Sequence, residues 1–101
     1  MMDATVAYLY LITSSKTKMK YIGITNNPIA RWEAHKQLAK AGDEKPLYRA
    51  MKSNGVKSFN FAVLCTGPRW ALSNLEAALI KYWNTQHPNG YNLDAGGDHK
   101  K

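Results

Sequence analysis

Acidic residues are scarce in this sequence: seven Asp and Glu against fourteen Lys and Arg, a formal charge of +7 on 101 residues. Cysteine is nearly absent. Cys65 stands alone, which excludes both an intramolecular disulfide and a cysteine-rich zinc site. At the end of the apolar run Phe61-Ala62-Val63-Leu64 it is expected to be a buried structural thiol. No apolar run approaches the roughly 20 residues that span a bilayer. The N-terminus has no basic stretch ahead of an apolar segment and no small-residue cleavage site, so no secretory signal is expected and the chain is assigned to the cytoplasm, away from membranes. Repeats, low-complexity tracts and Pro/Gly/Ser linkers are also lacking, so residues 1–101 are expected to form one domain.

What is present fits a globular chain. Apolar residues make up 45% and charged residues 21%, which argues against wholesale disorder. A chain of this size supports one modest core. The cationic surplus points to a polyanionic partner, most often nucleic acid, although a generically basic soluble domain would show the same balance.

Residues Val6 to Thr13 (VAYLYLIT) predict a strand covered on both faces, and Met19 to Thr25 (MKYIGIT) a second strand joined to it by a polar turn. Asn27-Pro28 is a helix start, with Asn as cap and Pro at the first helical position, and Gly42 is a stop. On that helix Ile29, Trp32 and Ala39 are expected to face the sheet. Pro46 opens a second, shorter helix that Gly55 ends. Phe59 to Cys65 predicts a third strand, and a long helix is expected from Arg69 to Gln86, followed by a short extended segment at Tyr91-Asn92-Leu93. The expected fold is a small α/β sandwich, β-β-α-α-β-α, with a three-stranded, mostly antiparallel sheet and flanking helices.

Some residues contradict their local pattern. At about 100° per residue, Leu79 and Trp83 lie within about 20° of Leu72, while Glu76 lies only about 40° from it, between that stripe and Ile80. A carboxylate inside an apolar face is expensive unless something pairs with it. An edge position facing a lysine or arginine would satisfy it. So would a hard cation such as Mg²⁺, which commonly takes one or two carboxylates and keeps waters. Arg31 and His35, four residues apart, are neighbours on one helical flank. They form either a solvated face or a phosphate clamp beside a proton acceptor. Tyr8 and Tyr10 share one face of the first strand, with Tyr21 on its hairpin partner. They serve either as core rings with hydroxyls at the rim or as hydroxyls gathered at one polar pocket.

The spacing joins these signals. Tyr21-Ile22-Gly23 follows Tyr10 by eleven residues, Arg31 follows Tyr21 by ten and His35 follows Arg31 by four; Glu76 lies in a later helix and Asn89-Gly90-Tyr91-Asn92 closes the pattern. From Tyr8 to about Gly97 the chain resembles the GIY-YIG nuclease family, and in particular the catalytic domains of phage-type homing endonucleases. The resemblance implies metal-dependent hydrolysis of DNA phosphodiester bonds. In that role Tyr10 would be the general base for the attacking water, Tyr21 would hold the water or the phosphate, and Arg31 would stabilise phosphate charge. His35 would take the proton from Tyr10, Glu76 would ligate a single divalent metal (Mg²⁺, with Mn²⁺ as substitute), and Asn92 would orient groups near the phosphate. Gly23 would keep the strand clear beneath the site. The first motif departs from the pattern, reading Tyr8-Leu9-Tyr10 with a large ring where the family has glycine, and that ring is expected to narrow access if it faces the cleft.

DNA would be held through its backbone by lysines such as Lys18, Lys20, Lys36 and Lys40, giving affinity that falls with salt and carries little sequence information. Cations near Tyr10, namely Arg31, the metal or Lys20, are expected to lower its pKa from about 10. Asp94 and Asp98 are the acidic residues that would challenge a single-carboxylate metal site. A monomer is favoured. Other readings that the residues allow are a structure-specific repair or junction nuclease, a nucleic-acid-binding module without cleavage, and a protein-interaction domain.

Overall fold

The computed structural model describes residues 6–96, so Asp98 and the end of the family-like stretch at Gly97 lie outside the described residues. The elements run β1 (Ala7–Ser14), β2 (Lys20–Thr25), α1 (Pro28–Ala41), α2 (Pro46–Asn54), a 3-10 turn (Val56–Ser58), β3 (Phe59–Gly67) and α3 (Arg69–Tyr82). The strands form one sheet in the order β2-β1-β3, with both pairings antiparallel. The β-β-α-α-β-α order matches the sequence expectation, and the sheet is antiparallel throughout. No helix among the described residues is long and apolar enough to cross a membrane.

Central β1 is covered on both faces, and its alternating side chains feed two separate cores. Tyr10 and Ile12 join Ala39 of α1, Leu47, Tyr48 and Met51 of α2, Phe59 and Tyr91 in one cluster. Ala7 and Leu9 join Ile22 of β2 and Leu72 and Ile80 of α3 in the other. A β-bulge shifts the β3 register. Leu9 faces Cys65 but Tyr10 faces Val63, leaving Leu64 as the extra residue. The bulge inverts the side-chain parity of β3, so that Phe59 belongs to the first cluster and Cys65 packs against the second. Cys65 is half-buried, less covered than its apolar run suggested, because β3 is an edge strand and Ala62, Val63 and Leu64 are exposed.

α1 starts and stops where the sequence predicts. The Asn27 side chain accepts from Ala30 N–H at 3.1 Å, Pro28 is the first helical residue, and Gly42 closes the helix at φ 86°. Its buried face differs from the expectation, however. Ile29 is 79% exposed, whereas His35 is fully buried together with Ala39. Ile29 lies about 120° around the helix from His35. The hydrogen bonds that His35 makes inside the protein fix the helix rotation and turn Ile29 out.

α3 ends at Tyr82, four residues before the expected Gln86. Asn84 takes the left-handed conformation at φ 54°, and Thr85 N–H reaches back to Ile80 C=O at 3.0 Å, the 6→1 bond of a Schellman stop with asparagine in the glycine position. Trp83 is thus a cap residue, still packed against the second cluster. β3 runs two residues past Cys65 to Gly67. Leu93, expected to extend the final segment, is 57% exposed.

Candidate active site

β1 and β2 pair so that Tyr10 lies opposite Gly23. A Cβ at position 23 would overlap the Tyr10 ring and its hydroxyl, so the glycine makes room for the phenol to lie across β2. Tyr21, two residues back on the same face of β2, sets its ring 6.2 Å from that of Tyr10 and 5.5 Å from His35, edge-on. Arg31 and His35 come from α1. The Tyr10 hydroxyl meets His35 Nε2 at 2.7 Å, and Arg31 Nε donates to it at 3.4 Å. On the other side of the imidazole, Nδ1 meets the Tyr48 hydroxyl at 2.8 Å. The result is a continuous polar chain, Arg31–Tyr10–His35–Tyr48, embedded in an otherwise apolar cluster.

Tyr48 does not stand out in the sequence. On α2 it sits beside Leu47 and three residues before Met51, and it reads as one more core residue of an amphipathic helix. The available signal was a phenol on the apolar face of that helix, because a tyrosine hydroxyl turned toward a core usually finds a partner.

Above this chain lies a cleft of about 370 Å³ along the outer edge of β2, lined by Tyr21, Arg31, Tyr48, Glu76, Asn92 and Asp94 among others. Tyr10 and His35 do not line it. They are 1% and 0% exposed and lie beneath. Tyr8 is half-buried on β1, paired with Thr25 and Thr66, and it too is absent from the lining, so its ring does not occupy the cleft.

Glu76 reaches the cleft from α3. It is half-buried on the ridge between the buried Leu72 and Ile80, and the returning chain packs on it at Gly96. Asn92 is 6% exposed and hydrogen-bonds with the free edge of β2. Its Oδ1 accepts from Ile22 N–H at 2.9 Å and from the Thr85 hydroxyl at 2.8 Å, while Nδ2 donates to Ile22 C=O at 2.9 Å. The side-chain amide thus stands in for a strand peptide. Gly90 allows the approach, since a Cβ there would run into the Thr85 backbone.

Burial governs the titrations. Burial, with Tyr21 adding to it, raises the Tyr10 pKa despite the opposing Arg31 guanidinium. The expected lowering by cations is therefore reversed: Lys20 turns away to lie 6.0 Å over the Trp83 ring, and one half-buried arginine does not outweigh desolvation. Burial, then Arg31, lowers His35 to about 4 and leaves a neutral imidazole at pH 7. Burial also raises Tyr48.

The lysines expected to meet DNA are dispersed. Lys18 and Lys20 sit at the β1–β2 turn next to Tyr21, with Lys18 Nζ on Ser15 C=O at 3.0 Å. Lys36 and Lys40 lie about 140° and about 180° around α1 from Arg31. They line a separate groove with Lys52, where Lys36 pairs with Glu33 at 2.8 Å. The cleft itself holds Arg31 and Lys45 against Asp43, Glu76 and Asp94. Its carboxylates favour a cation, and the positive surplus of the chain lies elsewhere.

The sequence model of the GIY-YIG catalytic domain matches residues 6–92. The chain belongs to the GIY-YIG nuclease family. As a GIY-YIG nuclease domain it is an enzyme, and the two name-giving motifs are the facing segments of β1 and β2. No curated protein matches the sequence. Two solved structures share the GIY-YIG fold. The catalytic domain of the homing endonuclease I-TevI superposes with a TM-score of 0.76 at 23% identity, covering 87% of this chain and 98% of that one. A mutant of the catalytic domain of the intron endonuclease I-TevI gives 0.75 at 22%, covering 89% and 95%.

Proposed function

We propose that this GIY-YIG domain is an endodeoxyribonuclease that hydrolyses phosphodiester bonds in the cleft at the β2 edge, with a divalent cation, Mg²⁺ or Mn²⁺, held at Glu76. The observation that carries this reading is convergence. Side chains from β2, α1, α2, α3 and the closing segment meet at one cleft, with the Tyr10–His35 pair directly beneath it.

The donor set fits a hard cation. Glu76 and Asp94 offer carboxylate oxygens to the same cleft, and no group of three or more His, Cys, Asp and Glu among the described residues is gathered to enclose a metal. An open site that takes its other oxygens from water and phosphate suits these residues. With Asp94 present as well, Glu76 is not the only carboxylate placed to contribute. When bound, the cation supplies Lewis-acid stabilisation of the charge that develops on phosphate and leaving oxygens.

The chain's own residues do the rest. Arg31 binds a non-bridging phosphate oxygen and stabilises it as charge builds. Tyr21 orients the attacking water, which approaches in line with the bond to the 3′ oxygen. The water proton passes to Tyr10 as the Tyr10 proton moves to Nε2 of His35, a neutral acceptor already at hydrogen-bond distance. Asn92 holds the β2 edge and so fixes Tyr21. Lys18 and Lys20 contact the DNA backbone beside the cleft, and Lys36 and Lys40 meet only a duplex that continues around α1.

The test is plasmid nicking at low salt with Mg²⁺, with Mn²⁺ or with EDTA, comparing wild type and Glu76→Ala, both checked for fold by circular dichroism. Metal-dependent nicking that drops about 10³-fold or more in the folded variant is expected, several kcal/mol of transition-state stabilisation. Nicking that persists in EDTA, or in Glu76→Ala, would refute the assignment.

A further inference from the structure

We propose that Tyr48 sets the tautomer of His35 and gives the buried Tyr10–His35 pair its proton outlet to the cleft, making it a positioning residue for the reaction proposed above. The donors and acceptors leave one arrangement. Among the described residues the Tyr10 hydroxyl has two partners, Arg31 Nε at 3.4 Å and His35 Nε2 at 2.7 Å. A guanidinium only donates. The Tyr10 proton must therefore point at Nε2, which is bare. Nδ1 then carries the ring hydrogen, and the oxygen placed to accept it, at 2.8 Å, is that of Tyr48.

The opposite tautomer would aim two donors at the Tyr10 oxygen. It would also leave the Tyr10 O–H, in a side chain 1% exposed, with no acceptor. Such an orphan is destabilising, because a buried donor without an acceptor has lost its hydration and gained nothing in return.

Because Tyr48 accepts from Nδ1, its own hydrogen is left for the cleft, which Tyr48 lines and Tyr10 and His35 do not. This matters because burial and Arg31 disfavour an imidazolium at His35. A relay avoids that ion. The Tyr10 proton moves to Nε2, the Nδ1 hydrogen moves to the Tyr48 oxygen, and Tyr48 releases its own hydrogen to cleft water. The Tyr10 oxygen takes the proton of the attacking water as its own departs, so no phenolate accumulates where burial disfavours it. His35 ends neutral in the other tautomer, Tyr10 and Tyr48 end as neutral phenols, and one proton has passed from the attacking water to the cleft.

The reaction part of this inference rests on the proposed nuclease function, and the tautomer part does not. The experiment pairs ¹⁵N NMR of the His35 ring at pH 7 with cleavage kinetics, for wild type and Tyr48→Phe, with amide spectra reporting the fold. A wild-type ring with its hydrogen on Nδ1 is expected. In Tyr48→Phe the Nε2–H form is expected to appear and kcat to fall about 10²-fold, with KM little changed. A wild-type ring in the Nε2–H form overturns the proposal, as does a folded Tyr48→Phe that keeps either the tautomer or kcat. A wild type that fails to cleave DNA overturns the nuclease reading, and the ring nitrogens then still decide the tautomer.

Discussion

On one face of β1, Ala7 and Leu9 pack against Ile22, Leu72 and Ile80 in an apolar cluster closed by α3. On the other face Tyr10 sits in an equally buried cluster, yet one threaded by Arg31, His35 and Tyr48. The same strand, alternating side chain by side chain, thus supports a plain hydrophobic contact on one face and a hydrogen-bonded polar chain on the other. Burial on the first face contributes stability in proportion to area. On the second it also shifts titrations, because desolvation raises Tyr10 and lowers His35. The contrast shows why the buried polar groups are fully paired: an unpaired donor in that cluster would undo much of what the packing contributes.

Three measurements test whether the two faces act independently. Leu9→Ala is expected to cost about 2–5 kcal/mol of unfolding free energy. Its kcat, measured well below the melting temperature, should stay at the wild-type value. A loss of kcat in folded Leu9→Ala would show that the two faces are not separable. Arg31→Ala should do the reverse, lowering cleavage about 10²- to 10³-fold with little change in the urea midpoint, because the arginine is only half-buried. A large stability loss in that variant would make Arg31 a structural residue first.

The third effect is in pH, and it is spread over more than two pH units. His35 binds its proton at about 4 in the folded chain, against about 6.5 unfolded. Between those values the unfolded chain binds the extra proton, so stability rises with pH across the window. The contribution is fully present above about pH 6.5 and is lost as pH falls toward 4. Urea midpoints at intervals from pH 7 to 4 should trace this slope, and His35→Gln should flatten it. An unchanged slope would mean that another group titrates there.

Much of this architecture could be read along the chain, and the failures are informative. α1 was legible from end to end because Asn27, Pro28 and Gly42 act locally, through a cap bond, a fixed φ and a left-handed stop. Its rotation was not, because hydrophobicity favoured Ile29 while two hydroxyls thirteen and twenty-five residues away held His35 inside. The end of α3 was missed because asparagine fills the stop position that glycine usually marks. The β3 bulge has no sequence signature, and with it Cys65 changed sides. Tyr10, Tyr21, Arg31, Glu76 and Asn92 were picked out by spacing and resemblance, and the structure gathers them at one place. The elevated Tyr10 pKa, the placement of Asp94 in the same cleft as Glu76 and the Tyr48 contact all depend on what packs around each group, which spacing does not encode.

The Asn92 amide has one more consequence. Together with Tyr91 N–H, which donates to Lys20 C=O at 2.9 Å, it occupies backbone groups that β2 turns outward at Lys20 and Ile22. That border is therefore blocked at Lys20 and Ile22, where an incoming extended peptide finds these groups already paired. Among the described residues the opposite border, β3, has no such cover and carries no charge from Phe59 to Gly67. Unwanted sheet growth has one open end, and it is the end farther from the cleft.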